Sequence, residues 1–205
     1  MVPGLHAEGR TFVLFMLIAK RLTQEDTEVI EKVRKLYDSA FPANERVNLH
    51  PSVLDQTNTS EILYFLDEEQ FVGFMALLTV GNITHITYFA IDDQQRGKGY
   101  GSKAVKLARK LFPGQIIIAD LEEPELGAKN YHKRLKRVHF YKKNGFIKTG
   151  VFYRWEAEDY HIFLHDGAAR RLKRVMNKLI SHSSICYLSY RGRPRLEHVE
   201  ASGIL

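Results

Sequence analysis

The chain has 205 residues, of which 44% are hydrophobic and 26% are charged, a balance typical of one globular domain or one domain with a tail. Cys186 is the only cysteine, which excludes a disulfide framework and a cysteine-based metal site and favours a reducing, cytoplasmic setting. The net charge of +6 is concentrated in residues 168–205, which hold eight Lys or Arg against two Glu, whereas residues 1–167 hold 22 of each sign. Such an imbalance concerns partners and not the fold.

The first predicted element is the apolar run at residues 11–19. Nine residues fall well short of the roughly 20 that a transmembrane helix needs, and a secretory signal fits poorly because Glu8 precedes the run and no A-x-A-like site follows it. We therefore expect a soluble protein in which this run is a buried first strand. Residues 1–15 are expected to be an N-terminal extension or the start of that strand, residues 16–167 one domain, and residues 168–205 a basic C-terminal helix and tail.

Helices and strands alternate through the rest of the domain. Thr23 is the expected N-cap of the first helix, and Gly145 predicts a left-handed C-cap for a basic helix. The predicted helices are 23–41, 102–111 and 128–144, and the predicted strands are a pair within 61–80, one at 83–93, one at 115–123 and a pair within 146–165. This order predicts an α/β (α+β) fold, with a mixed, mostly antiparallel sheet flanked by helices and a basic C-terminal extension.

A glycine-rich, basic loop joins the strand at 83–93 to the next helix. After Arg96, three glycines (Gly97, Gly99 and Gly101) alternate with Lys98 and Tyr100. When such a loop lies between a strand and a helix, successive backbone N–H groups and the helix dipole point toward one position, which therefore favours an anion. The loop matches neither the G-x-x-x-x-G-K-[ST] pattern nor the dinucleotide fingerprint. It therefore predicts a phosphate bound in another arrangement, because a mere tight turn would need only one glycine and no cations.

Two motifs in this order resemble those of the GNAT N-acetyltransferases. R-x-x-G-x-G, at Arg96, Gly99 and Gly101, is similar to the acyl-CoA signature of that family, and "HFYKKNGF", with Tyr141 and Gly145, is similar to its Y-x-x-x-G-F segment. The resemblance extends over roughly residues 16–165. The segments "FPANER" and "DLEEPELGAKNYHKRLKRVHFY" further resemble a group of small bacterial members whose substrates are generally unassigned. The resemblance implies the GNAT fold and acetyl-CoA as cosubstrate.

The resemblance also implies which residues contact coenzyme A. The pyrophosphate is expected on the N–H groups of the loop, and the pantetheine arm is expected to pair with the preceding strand, as an added strand does at a sheet edge. Asn130 is the candidate for the family's CoA-contacting asparagine, although it lies farther from Tyr141 in sequence than is usual and Arg134 lies nearer that place. The full expected set is Phe89, Ala90, Ile91, Arg96, Gly97, Lys98, Gly99, Tyr100, Gly101, Ser102 and Asn130.

Three residues are the candidates for proton transfer. Tyr141 matches the tyrosine that protonates the departing thiolate in this family, and its alternative role is a core tyrosine with a satisfied hydroxyl. Glu122 and Glu45 are the candidates for the base. Glu122 shares a strand end and a face with Asp120, because side chains two apart on a strand point the same way, and Glu45 enters from the substrate-side loop. Each acid also fits an ordinary solvated position.

The histidines and the tail give weaker signals. We expect no metal site, because His161 and His165 in a strand would lie more than ~12 Å apart. In the tail, apolar residues at helical spacing within 168–180 predict a helix with a basic face. That face is either solvated or contacts an anionic membrane, RNA or a protein partner.

The sequence thus predicts an enzyme that transfers an acetyl group from acetyl-CoA to a primary amine, in a small molecule or a peptide, by direct attack on the thioester. Two alternatives stay open: a non-catalytic GNAT-fold module that binds acyl-CoA, and an RNA- or ribosome-associated protein in which the basic tail dominates. We expect no transmembrane segment, we favour a small amine or peptide over a nucleic acid as the partner without excluding the latter, and we leave a homodimer open.

Overall fold

The computed structural model describes residues 12–14, 17–51, 59–155, 158–165 and 199–201. These residues form one sheet of nine strands in the spatial order β1-β2-β3-β4-β5-β6-β8-β7-β9. Neighbouring strands are antiparallel except β5 and β6, which are parallel. The strands are β1 (Phe12–Leu14), β2 (Leu17–Arg21), β3 (Ser60–Asp67), β4 (Gln70–Val80), β5 (Ile83–Ile91), β6 (Ile116–Glu122), β7 (Phe146–Trp155), β8 (Glu158–His165) and β9 (Val199–Ala201), and the helices are α1 (Thr27–Ala40), α2 (Tyr100–Leu111) and α3 (Tyr131–Lys143).

Helices cover both faces of this sheet, and each face has its own apolar core. Alternate residues of β3 and β4 point to opposite faces, as the pleat of a strand requires. One set packs with α2 and α3, and its fully buried members include Phe65 and Met75. The other set packs with α1, and its fully buried members include Phe74. The predicted fold class, a mixed and mostly antiparallel sheet flanked by helices, is therefore confirmed.

The N-terminal part of the chain differs from the prediction in two places. The apolar run at 11–19 was expected to be one strand, but β1 and β2 are two antiparallel strands with Leu14 opposite Leu17. The first helix begins at Thr27 and not after Thr23. The reason is that the Asp26 carboxylate accepts hydrogen bonds from both the backbone N–H and the hydroxyl of Thr23, each at 2.8 Å, so these polar residues form a turn before the helix.

Two further differences lie later in the chain. Helix α2 begins at Tyr100, two residues before the predicted start, and directly follows Gly99. Strand β9, which was not predicted, pairs antiparallel with β7. The helix predicted at 168–180 lies outside the described residues. Among the helices that are described, none is long and apolar enough to span a membrane.

Candidate active site

The site begins with an irregularity in the middle of β5. Ala76 lies opposite Tyr88 and Leu77 lies opposite Ile86, so Thr87 is one extra residue on β5. The Thr87 hydroxyl donates a hydrogen bond to the Ala76 carbonyl at 3.1 Å. An extra residue of this kind is a β-bulge, which bends a strand and locally breaks its ladder.

The bulge also changes the face to which each later side chain points. Ile86 and Phe89, three residues apart, both pack on the α2–α3 side, whereas Tyr88 and Ala90 pack on the α1 side. Without the extra residue, Ile86 and Phe89 would point to opposite faces. The bulge therefore sets the orientation of every side chain in the segment where a pantetheine arm was predicted.

Beyond the bulge, β5 and β6 separate. Their parallel pairing ends at Ile86 and Ala119. On its other side β5 stays paired with β4 as far as Ile91, and β6 stays paired with β8 as far as Glu122. The second half of β5 therefore presents one edge of its backbone to the opening between the strands, and such an edge can accept an additional extended chain.

The glycine-rich loop follows this open edge directly. Gly97 and Gly99 both have a φ of 81°, a left-handed conformation that glycine adopts without steric cost. Within the part of the chain that the structure describes, no N–H from Gly97 to Ser102 donates a hydrogen bond, and the first amide that does so is that of Lys103, to Gly99 O at 3.1 Å. Six successive amides at the N-terminus of α2 are thus available for an anion.

The side chains of the loop mostly bind the protein itself. Arg96 Nε donates to Ile91 O at 3.1 Å, and the Arg96 guanidinium also lies 2.6 Å from Asp93. Lys98 Nζ donates to Gln95 Oε1 at 2.8 Å. The ring of Tyr100 packs in the α2–α3 core, and its hydroxyl bonds to Asp67. The groups of this segment that remain for the predicted contacts with a ligand are therefore mainly its backbone N–H groups.

Phe140 of helix α3 packs against both β5 and the first turn of α2. The Phe140 ring lies 6.0 Å from the Phe89 ring between centroids. A Cβ built on Gly101 would stand 3.0 Å from the same Phe140 ring, so glycine allows α2 and α3 to pack closely here. Phe140 was not singled out in the sequence, although it precedes Tyr141 in the second motif.

Tyr141, the residue after Phe140 in α3, is buried. Only 7% of its surface is exposed, and its ring packs edge-on against Phe140 and Phe146. No described residue is hydrogen-bonded to its hydroxyl. Burial raises the pKa of the phenol well above its usual value, and the nearby Asp120 carboxylate adds to that rise. Tyr141 therefore stays protonated and can act only as a proton donor at neutral pH.

Glu122 lies in a buried network of opposite charge. It is 4% exposed, as is the side chain of Arg134, which lies 3.2 Å away. Arg137 bonds to the other carboxylate oxygen. Asn130 Nδ2 lies 3.4 Å from Glu122 Oε1, and Asn130 Oδ1 accepts from Arg134 Nε at 2.7 Å. Asn130, predicted to contact coenzyme A, therefore contacts this network, and both carboxylate oxygens of Glu122 are engaged by guanidinium groups.

A second polar pair bridges the two strands where they separate. His85 Nε2 on β5 lies 2.9 Å from Asp120 Oδ1 on β6, with 8% and 16% of the two side chains exposed. Asp120 was expected to share a strand face with Glu122, whereas His85 was not singled out in the sequence. A single histidine in a strand of otherwise uncharged residues was the signal that could have found it. No cluster of three or more His, Cys, Asp or Glu that could hold a metal ion occurs among the described residues.

Glu45 lies on the other side of β5. It ends a short 3-10 turn (Ala43–Glu45), and its carbonyl accepts a hydrogen bond from the Tyr88 hydroxyl at 2.6 Å. Arg46 pairs with Asp38 of α1. The loop containing "FPANER" is therefore anchored on the bulged part of β5, next to the open edge.

Comparisons with known proteins agree with this geometry. Residues 58–148 match the family model described as the acetyltransferase (GNAT) domain. Among solved structures, a GNAT-family acetyltransferase from Bacteroides thetaiotaomicron is similar with a TM-score of 0.60 and 18% identity, over 78% of this chain and 94% of that one. No curated protein matches the chain significantly.

Two similar structures were solved with coenzyme A. An aminoglycoside 6'-N-acetyltransferase complexed with coenzyme A has a TM-score of 0.58 and 14% identity, over 72% of this chain and 95% of that one. An acetyltransferase from Bacillus subtilis in complex with CoA has a TM-score of 0.50 and 14% identity, over 73% of this chain and 98% of that one.

Three features together define an acetyltransferase-type fold. They are the bulged strand β5, the parallel strand β6 that separates from it, and the glycine-rich loop at the N-terminus of α2. The family match over residues 58–148 and the similar solved structures support the resemblance to the GNAT acetyltransferases that the two motifs predicted.

Proposed function

We propose that the protein is an N-acetyltransferase that transfers the acetyl group of acetyl-CoA to a primary amine. The observation that carries the proposal is the run of N–H groups from Gly97 to Ser102 that make no hydrogen bond within the described chain. Unpaired amides at a helix N-terminus bind phosphate oxygens. The open edge of β5 directly before them offers the backbone pairing that a pantetheine arm requires.

The loop has room for a pyrophosphate. Among the described residues, a Cβ built on Gly97 or Gly99 would meet no atom within 4 Å, so no described side chain fills the space above these glycines. Side chains other than hydrogen would fill that space and keep an anion from the amides. Coenzyme A in two of the similar structures supports acyl-CoA as the ligand.

Tyr141 is proposed as the general acid. When the amine nitrogen attacks the thioester carbonyl and the C–S bond breaks, the thiolate must receive a proton. A buried phenol with a raised pKa and no hydrogen-bonded partner among the described residues is protonated and free to donate. Glu122 and Glu45 are the two carboxylates predicted from the sequence as candidates for the general base.

A second candidate function is a GNAT-fold module that binds acyl-CoA and transfers nothing. The engagement of Glu122 by Arg134 and Arg137 favours it, because a carboxylate held by two guanidinium groups is poorly placed to accept a proton from a substrate.

Calorimetry with coenzyme A, followed by thiol release from acetyl-CoA with a panel of small amines, polyamines, aminoglycosides and peptide N-termini, separates these functions. The enzyme is expected to bind coenzyme A and to turn over at least one amine. Binding without turnover on any amine would support the module, and absence of binding would contradict both.

A further inference from the structure

We propose that the outer surface formed by α2 and α3 binds the phosphate backbone of a nucleic acid. The inference goes beyond the proposed function and does not depend on acetyl transfer. It rests on the distribution of charge over the helices that the structure describes.

The two helices on one face of the sheet carry charge of a single sign. Helix α2 contains four Lys or Arg and α3 contains six, and neither contains an Asp or a Glu. Helix α1, on the opposite face, contains three residues of each sign, and its Arg34 pairs with Glu31 at 2.8 Å and with Asp38 at 3.6 Å. Residues 1–167 are neutral as a whole but therefore include one strongly basic face. Cations confined to one face are the electrostatic feature expected of a protein that binds nucleic acid.

Most of these cations are available to a partner. Arg134 and Arg137 are used within the protein, because both pair with Glu122, and Lys103 Nζ lies 5.2 Å from the centre of the Tyr100 ring. The other seven are exposed, and none of them pairs with a carboxylate among the described residues. An exposed cation without a carboxylate partner can neutralise a phosphate without first breaking an ion pair of the protein.

The exposed lysines of α3 lie along the side of this helix that faces α2. Lys133, Lys136 and Lys143 fall in one row with Phe140, because they are separated by three, four and three residues, and residues at such spacings are neighbours on a helix surface. Phe140 is the residue whose ring lies against Gly101 of α2. The row of lysines therefore borders the start of α2.

The cations of α2 extend this row into a wider surface. Lys106, Arg109 and Lys110 are exposed and lie three and four residues apart, so they too share one side of their helix. We call these three residues and the three lysines of the α3 row the basic surface. At 1.5 Å per residue the row from Lys133 to Lys143 is about 15 Å long. A nucleic-acid duplex carries one charge per roughly 1.7 Å of its axis, so several phosphates can meet the basic surface at once.

The composition of the basic surface favours a nucleic acid over an anionic membrane. A helix that lies on a membrane inserts apolar side chains into it, and the basic surface contains none. The exposed large hydrophobic residues of the described chain are Leu126 and Leu135. Leu135 is five residues before Phe140, so it is turned away from the lysine row by about 140°.

The same composition predicts how the nucleic acid is bound. Five of the six cations are lysines, which bind phosphate as point charges, whereas arginine is the residue that recognises planar groups with two parallel hydrogen bonds. Contacts with phosphate carry no sequence information, and they weaken steeply with salt because counterions are released on binding. We therefore expect salt-dependent binding without a sequence preference.

The test measures the binding of the full chain to labelled duplexes by fluorescence anisotropy at several salt concentrations. One duplex is RNA and the other is DNA of the same sequence. Lys106→Gln combined with Lys110→Gln removes two charges from α2, and Lys136→Gln combined with Lys143→Gln removes two from α3. Each phosphate contact contributes about 0.9 to the slope of log K against log salt concentration on DNA. Each double variant should therefore reduce that slope by about two and raise Kd at about 50 mM salt at least about tenfold.

Lys32→Gln combined with Lys35→Gln is the matched control, because it removes the same charge from exposed positions on α1, on the opposite face of the sheet. This variant should bind both duplexes as the parent does. The full chain is used throughout, so the cations of residues 168–205 are the same in every protein compared. Tighter binding of one duplex than of the other, with the same response to the variants, would support the inference and identify the kind of nucleic acid.

Three results would overturn the inference. The first is a parent that binds neither duplex. The second is equal affinity of the three double variants, because no loss in any of them means that binding occurs outside the basic surface, and the same loss in all of them means that net charge alone is responsible. The third is binding to vesicles of phosphatidylserine and phosphatidylcholine that the α2 and α3 variants lose while the control keeps it, without binding of either duplex, which would assign the basic surface to a membrane.

Discussion

Gly73 on β4 and Ala90 on β5 approach so closely that a Cβ built on Gly73 would stand 2.3 Å from the Ala90 carbonyl oxygen. That oxygen belongs to backbone in the second half of β5, where the acyl arm is proposed to bind. The absence of a side chain at Gly73 therefore lets this segment of β5 pack close against β4.

Gly73→Ala should push this part of β5 away from β4. Overpacking in a buried position typically costs about 1–3 kcal/mol, so the free energy of unfolding should fall by that amount in urea titrations. Calorimetry should show weaker binding of coenzyme A as well. The comparison is Gly114→Ala, where φ is 79° but no atom of the part of the chain that the structure describes lies within 4 Å of the built Cβ. This variant should lower stability without changing the affinity for coenzyme A. Equal affinities in the two variants would contradict a role of β5 in binding.

The loop amides give a second prediction. Gly99→Val places a branched side chain over the N–H groups at a φ of 81°, and hydrogen bonds to charged groups contribute about 1.5–3 kcal/mol each. The dissociation constant for coenzyme A should therefore rise at least about tenfold.

Lys98→Ala should weaken binding much less, because an exposed charge contributes about 0–1 kcal/mol. Lys110→Ala, at the far end of α2, is the control for the loss of one positive charge. Tight binding of coenzyme A by the Gly99 variant would show that the phosphates lie elsewhere.

Tyr141→Phe removes only the hydroxyl and keeps the ring that packs against Phe140 and Phe146. If the phenol is the general acid, kcat should fall ~10²–10⁴-fold, while the affinity for coenzyme A stays unchanged. Tyr131→Phe, at the start of the same helix, is the matched control and should keep full turnover. An unchanged kcat in the Tyr141 variant would make this tyrosine a packing residue.

The same substitution should alter stability at alkaline pH. Burial raises the pKa of Tyr141 in the folded protein, whereas an unfolded tyrosine ionises near pH 10. The unfolded state therefore loses this proton first, and the parent loses stability as the pH rises above about 10. Between pH 9 and pH 11, the free energy of unfolding should fall about 1 kcal/mol less in Tyr141→Phe than in the parent, since one pH unit corresponds to about 1.4 kcal/mol. Parallel curves for the two proteins would mean that the phenol ionises as readily in the folded protein.

The buried pair of Glu122 and Arg134 can be tested by a double-mutant cycle. Removing one partner of a buried ion pair typically costs about 3–5 kcal/mol, because the other charge is left unpaired. Glu122→Leu and Arg134→Met should each destabilise the fold strongly in urea titrations, and the double variant should lose much less than their sum. Arg137→Ala should have a smaller effect, because its side chain is 43% exposed. Additive losses would show that Glu122 and Arg134 act independently.

The sequence predicted the parts of the site that depend on local pattern. The glycine loop and the helix after it follow from residues close together in the chain, as does the strand before it. The partners of Glu122 could not be predicted, because Arg134 and Arg137 come from a helix twelve and fifteen residues later and reach the strand only through tertiary packing. The pairing of His85 with Asp120 depends in the same way on the parallel register of β5 and β6.

The position of the β-bulge could not be predicted from the sequence, for a different reason. The segment "ITHITYFAI" has few polar residues, so its pattern does not indicate where alternation between faces is interrupted. Only the register with β4 identifies Thr87 as the extra residue.

Thr87 divides β5 into two segments that are under different constraints. Residues 83–86 are paired with β4 on one side and with β6 on the other, so their backbone is closed to any additional chain. Residues 88–91 are paired on one side only, and substitutions there affect both folding and whatever occupies the free edge. The insertion of one residue lets side chains before and after Thr87 take faces that a regular strand would not allow together, so one continuous strand combines a half closed on both edges with a half open on one.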